Sequence, residues 1–136
     1  MSLVIEVFDD AEATARRGAE VIAKAARSRA AAGSRFAFAA SGGSTPWRMF
    51  ERLSTMDVPW GMVDLFQVDE RIAPDGDPDR SITHLRAALL PEAAAATWHP
   101  MDVTAEDPEA AAAAYAASLP ERFDLLHLGI GPDGHT

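Results

Sequence analysis

Residues 36–46 read Phe36-Ala37-Phe38-Ala39-Ala40-Ser41-Gly42-Gly43-Ser44-Thr45-Pro46. An apolar run passes directly into two glycines and three hydroxyl residues. Pro46 suits the first turn of a helix whose apolar side is Met49, Phe50 and Leu53. A buried strand, a tight turn and a helix in direct succession make the unit from which parallel α/β sheets are built.

Similar units lie on either side. Upstream, Leu3–Phe8 is a β-branched run ending in Asp9-Asp10, which predicts a strand and then a helix start. Ala15, Ala19, Ile22 and Ala26 recur at helical spacing, Glu12, Arg16, Glu20, Lys24 and Arg27 take the other faces, and Gly33 is the stop. Downstream, Val63–Val68 predicts a strand, followed by Asp69-Glu70-Arg71 and a Pro/Gly/Asp loop through Asp79. Leu85 and Leu89 predict a helix. A weak strand near Trp98, an Ala-rich helix over Pro108–Leu119 and a strand over Leu125–Leu128 complete the pattern. The alanine runs at 93–96 and 110–114 read as helix rather than disorder, because Ala is the best helix former. With no repeat or linker, the expectation is one α/β domain over residues 1–136: a mostly parallel, Rossmann-like sheet with helices on both faces. Ligands of such sheets bind beyond the carboxyl ends of the strands, which is where the polar clusters fall.

The chain has 136 residues and is 48% hydrophobic, enough for a globular core. Twenty-one Asp and Glu against twelve Lys and Arg give a net charge of −9, which argues against nucleic acid as a partner. A small anionic metabolite stays open, since a few backbone amides and one Arg make a local anion site even in an acidic protein. The absence of cysteine removes disulfide scaffolds, Cys-zinc sites and thiol nucleophiles together. The N-terminus carries acids where a signal peptide needs basic residues, and no apolar run is long enough to span a bilayer. The expectation is a cytoplasmic protein with no membrane partner.

Three clusters could carry chemistry. In the first, backbone amides around Gly42 and Gly43, the hydroxyls of Ser44 and Thr45, and the positive end of a helix dipole converge where a phosphate would sit. An ordinary N-cap needs only one of these residues, so their combination favours the anion site. It is not a P-loop, because the G-x-x-x-x-G-K-[ST] spacing is missing. In the second, Asp69-Glu70-Arg71 puts two carboxylates beside a guanidinium at a strand end, where carboxylates polarise or deprotonate a substrate and Arg binds an anion. Taken alone, this tripeptide reads as a loop salt bridge. The third, Leu128-Gly129-Ile130-Gly131-Pro132-Asp133-Gly134-His135-Thr136, satisfies G-x-G-x-x-G literally. It is not read as a dinucleotide fingerprint: Asp133 would repel a pyrophosphate and Pro132 removes a donor amide. It offers His135 on a Gly-flexed loop, a residue type suited to general-base work near neutral pH. A lone loop histidine is more often incidental and takes its weight from its neighbours. His84, His99 and His127 read as structural or solvated, and Trp47, Trp60 and Trp98 as packing residues. No metal-ligand spacing is present, so no metal and no cofactor are expected.

In this order and spacing, SGGSTP at 41–46, DERIAPDGDPDRSITHLRAALL at 69–90 and FDLLHLGIGPDGHT at 123–136 resemble the 6-phosphogluconolactonase family, within the wider group that includes glucosamine-6-phosphate deaminases. Arg71 after Asp69-Glu70, and Thr136 after His135, look like the lactonase branch. The resemblance implies the NagB/RpiA/CoA-transferase-like fold and hydrolysis of 6-phospho-glucono-1,5-lactone to 6-phosphogluconate in the oxidative pentose phosphate pathway. It implies His135 as the general base and Asp69 as the group that orients the histidine or the substrate. Gly42, Gly43, Ser44, Thr45 and Arg71 would hold the phosphate of a phosphosugar lactone. Two departures stand out: Ser81 occupies the place of the family's usual Asn, and relatives continue past the His-Thr pair with a further half that carries another basic phosphate contact. The chain is therefore expected to be the N-terminal half of such a domain. A glucosamine-6-phosphate deaminase and a noncatalytic sugar-phosphate sensor on the same fold are the competing readings.

Overall fold

A computed structural model describes residues 2–136. Helix α1 spans Ala11–Ala31, β1 Phe36–Ala40, α2 Ser44–Ser54, β2 Val63–Gln67, α3 Ser81–Leu89, β3 Thr97–His99, α4 Pro108–Ser118 and β4 Leu125–Leu126. The four strands form one sheet in the order β3-β2-β1-β4, and every neighbouring pair is parallel. The chain moves outward from β1 through β2 to β3, then returns to place β4 on the opposite side of β1. That reversal is a topological switch point, and it sets the carboxyl ends of β1, β2 and β4 side by side.

Alternation along the strands divides the core. Phe36, Phe38 and Ala40 of β1, with Val63 and Leu65 of β2, pack against α1, α2 and α3. Met49, Phe50 and Leu53, the apolar side read from the sequence, are the buried residues of α2. On the other sheet face Phe66 is 2% exposed, stacked on His99 with ring centroids 4.1 Å apart and met edge-on by Tyr115 and Phe123. Helix α4 buries none of its residues fully and is tied down through Tyr115, whose hydroxyl donates to the Gln67 carbonyl and accepts from the Gln67 amide. Helices thus lie on both faces, heavily on one and thinly on the other. Among the described residues no helix is long and apolar enough to cross a membrane.

The helix-start and helix-stop signals of α1 work as read: the Asp10 carboxylate accepts from the Ala13 amide at 2.7 Å, and Gly33 takes the left-handed conformation at φ 75°. The expected strand at Leu3–Phe8 does not form. A strand is held by ladder hydrogen bonds to a neighbour, and among the described residues this run makes none with its backbone. It is held instead by Glu6, which accepts from Arg17 Nε and Nη2 at 2.7 and 2.9 Å, and Leu3, Val4, Ile5 and Val7 remain 75–88% exposed. The alanine run after α3 forms only a short 3₁₀ turn over Glu92–Ala95, and β4 is two residues shorter than the expected Leu125–Leu128.

Candidate active site

A cleft of about 840 Å³ opens beyond the carboxyl ends of β1, β2 and β4, and it draws on all three sequence clusters. Gly42 and Gly43 enter from β1, Asp69 and Arg71 from β2, and His135 and Thr136 from the loop after β4. Ser81 and His84 of α3 line it as well. Ser44 and Thr45, expected at the phosphate, are the exposed first two residues of α2 and are not among the lining residues.

The N-terminus of α2 carries no side-chain cap, which sets aside the ordinary N-cap reading of this turn. Pro46 has no N–H and the Trp47 amide is bonded to the Gly43 carbonyl at 3.1 Å, so the amides of Ser44 and Thr45 have no intrahelical partner. The close approach of three segments requires glycine at position 42: a Cβ there would sit 2.7 Å from Ser81 Oγ and 3.2 Å from the Trp47 ring. Trp47 stacks on His84, with centroids 5.1 Å apart, and His84 Nε2 donates to the Pro78 carbonyl at 2.7 Å. His127 anchors the other side of the turn. Its Nδ1 accepts from the Ser41 amide at 3.3 Å, its ring meets Phe50 edge-on, and burial pushes its pKa below the ordinary 6.5. The structural reading of His127 therefore holds, and it gains a specific role, since the neutral ring fixes the glycine turn.

The Asp69-Glu70-Arg71 cluster separates into two functions. Asp69 and Arg71 are exposed in the cleft, and their side chains make no hydrogen bond or ion pair among the described residues. Glu70 turns inward and its side chain is fully buried. Oε1 accepts from the amides of Arg71 and Ser81 at 2.8 and 2.7 Å; Oε2 accepts from the Ile82 amide and from Gln67 Nε2, both at 2.9 Å. Arg80 Nε lies 3.1 Å from Oε2, although its N–H is not aligned for a hydrogen bond, and Arg80 Nη1 donates to the Ala73 carbonyl at 3.0 Å. Burial opposes ionisation of Glu70, and the four hydrogen bonds outweigh it, holding the carboxyl at about 2 against an ordinary 4.5. A group so occupied is not a base for a substrate.

A pH dependence of stability follows. Because the folded pKa of Glu70 lies below its unfolded value, the stabilisation is complete above about 4.5 and is lost as pH falls toward about 2. The size is roughly 3 kcal/mol at most. Urea unfolding at pH 5 and pH 2.5 should show most of this loss in the wild type and a flatter dependence in Glu70→Gln; equal slopes would contradict the assignment.

The loop after β4 builds a second device. His135 Nδ1 lies 2.6 Å from Asp133 Oδ1, and the Asp133 carboxyl is held below the usual carboxylate range by that hydrogen bond. A carboxylate only accepts, so Nδ1 carries the hydrogen and, in the neutral ring, Nε2 keeps its lone pair. The Gly131 amide donates to the His135 carbonyl at 2.8 Å, closing the loop on itself. A Cβ at Gly131 would stand 2.8 Å from Asp133 Oδ1, so any larger residue there would displace the pair. The resemblance gives Asp69 the role of orienting the histidine or the substrate, and the sequence reading treats Asp133 only as an obstacle to pyrophosphate. The Asp-Gly-His spacing is the available signal for this contact. Among the described residues no group of three or more His, Asp or Glu side chains is placed to hold a metal ion.

A family model described as "Glucosamine-6-phosphate isomerases/6-phosphogluconolactonase" matches residues 9–136. The 6-phosphogluconolactonase of Caulobacter vibrioides is 34% identical over 134 residues, covering 96% of this chain and 58% of that protein. The one from Rhizobium meliloti is 38% identical over 141 residues, covering all of this chain and 60% of its relative. A crystal structure of a 6-phosphogluconolactonase from Shewanella baltica superposes with a TM-score of 0.85 at 30% identity, over 94% of this chain and 57% of the other. The chain thus spans somewhat over half the length of these relatives.

Proposed function

The chain belongs to the glucosamine-6-phosphate isomerase/6-phosphogluconolactonase family, and we propose that its cleft serves the hydrolysis of 6-phospho-glucono-1,5-lactone to 6-phosphogluconate. The observation that carries this reading is the convergence of an uncapped glycine turn, an arginine without a partner among the described residues and an aspartate-paired histidine on one cleft. Phosphate and ester carbonyl lie at opposite ends of the substrate, so one anion site and one base some distance apart are what the reaction needs.

His135 Nε2 takes a proton from water as the oxygen attacks the lactone carbonyl. The tetrahedral intermediate then collapses, the ring C–O bond breaks, and the imidazolium returns the proton to the departing ring oxygen. Asp133 fixes the tautomer and orientation of the ring throughout. Gly42 and Gly43, with the unpartnered amides of Ser44 and Thr45 at the start of α2, hold the phosphate together with the Arg71 guanidinium. Asp69 faces the sugar hydroxyls from the neighbouring strand and accepts hydrogen bonds from them. Phosphate binding holds the carbonyl in register with the base, so binding energy from a non-reacting group contributes to the rate.

Titration calorimetry with 6-phosphogluconate, the reaction product, tests the binding half of this reading. Arg71→Ala should weaken the complex about 10- to 100-fold, the worth of hydrogen bonds to a charged group. Gluconate, which lacks the phosphate, should bind the wild type and the variant equally weakly. Unchanged affinity for 6-phosphogluconate in Arg71→Ala would remove Arg71 from the site. Binding of phosphosugars with no turnover would support a sensor, and ammonia release from glucosamine 6-phosphate a deaminase.

A further inference from the structure

Glu70 lies between the two cleft-facing residues of its loop, yet its carboxylate is wholly committed inside the protein. Its donors come from three places: the amide of its own loop neighbour Arg71, the first two amides of α3 at Ser81 and Ile82, and the side chain of Gln67 at the end of β2. Helix α3 has no side-chain cap from its own N-cap residue, Arg80, so a carboxylate eleven positions upstream does that work. Gln67 is fixed in turn, its Oε1 accepting from the Met101 amide at 2.8 Å and its backbone closed by the Tyr115 hydroxyl. The single carboxylate therefore joins the loop that carries Asp69 and Arg71 to the helix that carries Ser81, the residue against which Gly42 packs.

We propose that Glu70 is a positioning residue for the reaction: it clamps the loop after β2 onto the start of α3, setting Asp69 and Arg71 in the cleft and holding the wall that supports the phosphate turn. This inference rests on the function proposed above for the cleft, but its geometric content does not. Glu70→Gln conserves size while replacing one accepting oxygen by an amide that only donates. Two of the facing N–H groups then lose their acceptor, whichever oxygen is replaced, and Arg80 loses its counter-charge.

Two readouts separate the claims. Amide hydrogen exchange on the full chain should rise at least 10-fold in Glu70→Gln at Arg71, Ser81 and Ile82, while the amides of β1 and β2 stay protected. Unchanged exchange at those three positions overturns the clamp whatever the cleft binds. With 6-phosphogluconate as the probe, the dissociation constant should rise about 10-fold in Glu70→Gln, at a temperature where circular dichroism shows the variant folded. Full affinity in a folded variant overturns the positioning role. Failure of the wild type to bind the probe overturns the proposed function, and the exchange result still decides the clamp. Gln67→Leu provides a second variant: it removes one donor to the carboxylate and the acceptor of the Met101 amide, leaves the carboxylate and its three backbone partners, and should shift both readouts in the same direction by a smaller factor. No shift in either readout would again count against the clamp.

Discussion

His135→Ala is expected to lower kcat for lactone hydrolysis about 10²- to 10⁴-fold, the usual contribution of a positioned general base. Affinity for 6-phosphogluconate should stay within about threefold, because the ring lies on the loop after β4 whereas the proposed anion donors lie at β1, β2 and α2. His135 is exposed, and its side chain makes one contact of consequence, the 2.6 Å hydrogen bond to Asp133. Its removal leaves no cavity and strands no buried donor, so a large kinetic loss would not follow from unfolding. Stopped-flow decay of fresh lactone supplies kcat and calorimetry supplies the affinity. Equal losses in both would show that His135 binds rather than reacts.

Arg80→Met should destabilise the fold by about 3 kcal/mol, at the low end of the 3–5 kcal/mol range for breaking a buried ion pair from one side. Both partners are sequestered, with the Arg80 side chain 6% exposed and that of Glu70 wholly buried. Methionine retains much of the aliphatic stem and removes the charge, leaving the Glu70 carboxylate without its cation and the Ala73 carbonyl without a donor. Four hydrogen bonds to Glu70 survive the substitution, and that is why the low end applies. A melting temperature lowered by roughly 10 °C corresponds to this loss in a domain of this size. A variant within 1 kcal/mol of the wild type in urea would mean that the hydrogen bonds alone compensate the buried carboxylate.

The parallel α/β pattern was legible because its signals are local. The short apolar runs of β1 and β2, the Asp10 cap, Gly33, and the glycine turn before Pro46 each fix a few residues without help from elsewhere. Leu3–Phe8 has the same strand-like composition and forms no strand, since a ladder depends on a partner that composition does not name. The site divides in the same way. Gly42, Gly43, Asp69, Arg71 and His135 stand at strand ends, where the resemblance to the lactonase family singles them out, and the structure brings these five into one cleft. Glu70 was not legible: two of its donors come from the amides of Ser81 and Ile82, and only the folded loop shows that Asp69 and Glu70, adjacent in sequence, point to opposite sides. The pairing of His135 with Asp133 was within reach of the sequence, hidden by reading the carboxylate solely for its charge.

In the proposed reaction this cleft hydrolyses a phosphorylated sugar lactone with His135 as its base. The most direct measurement is the decay of freshly generated 6-phosphogluconolactone, followed with the purified protein, with His135→Ala and with neither. The expected result is decay faster than the spontaneous background with the wild type and indistinguishable from it with the variant. Decay at the background rate with the wild type, or acceleration that survives His135→Ala, would contradict it.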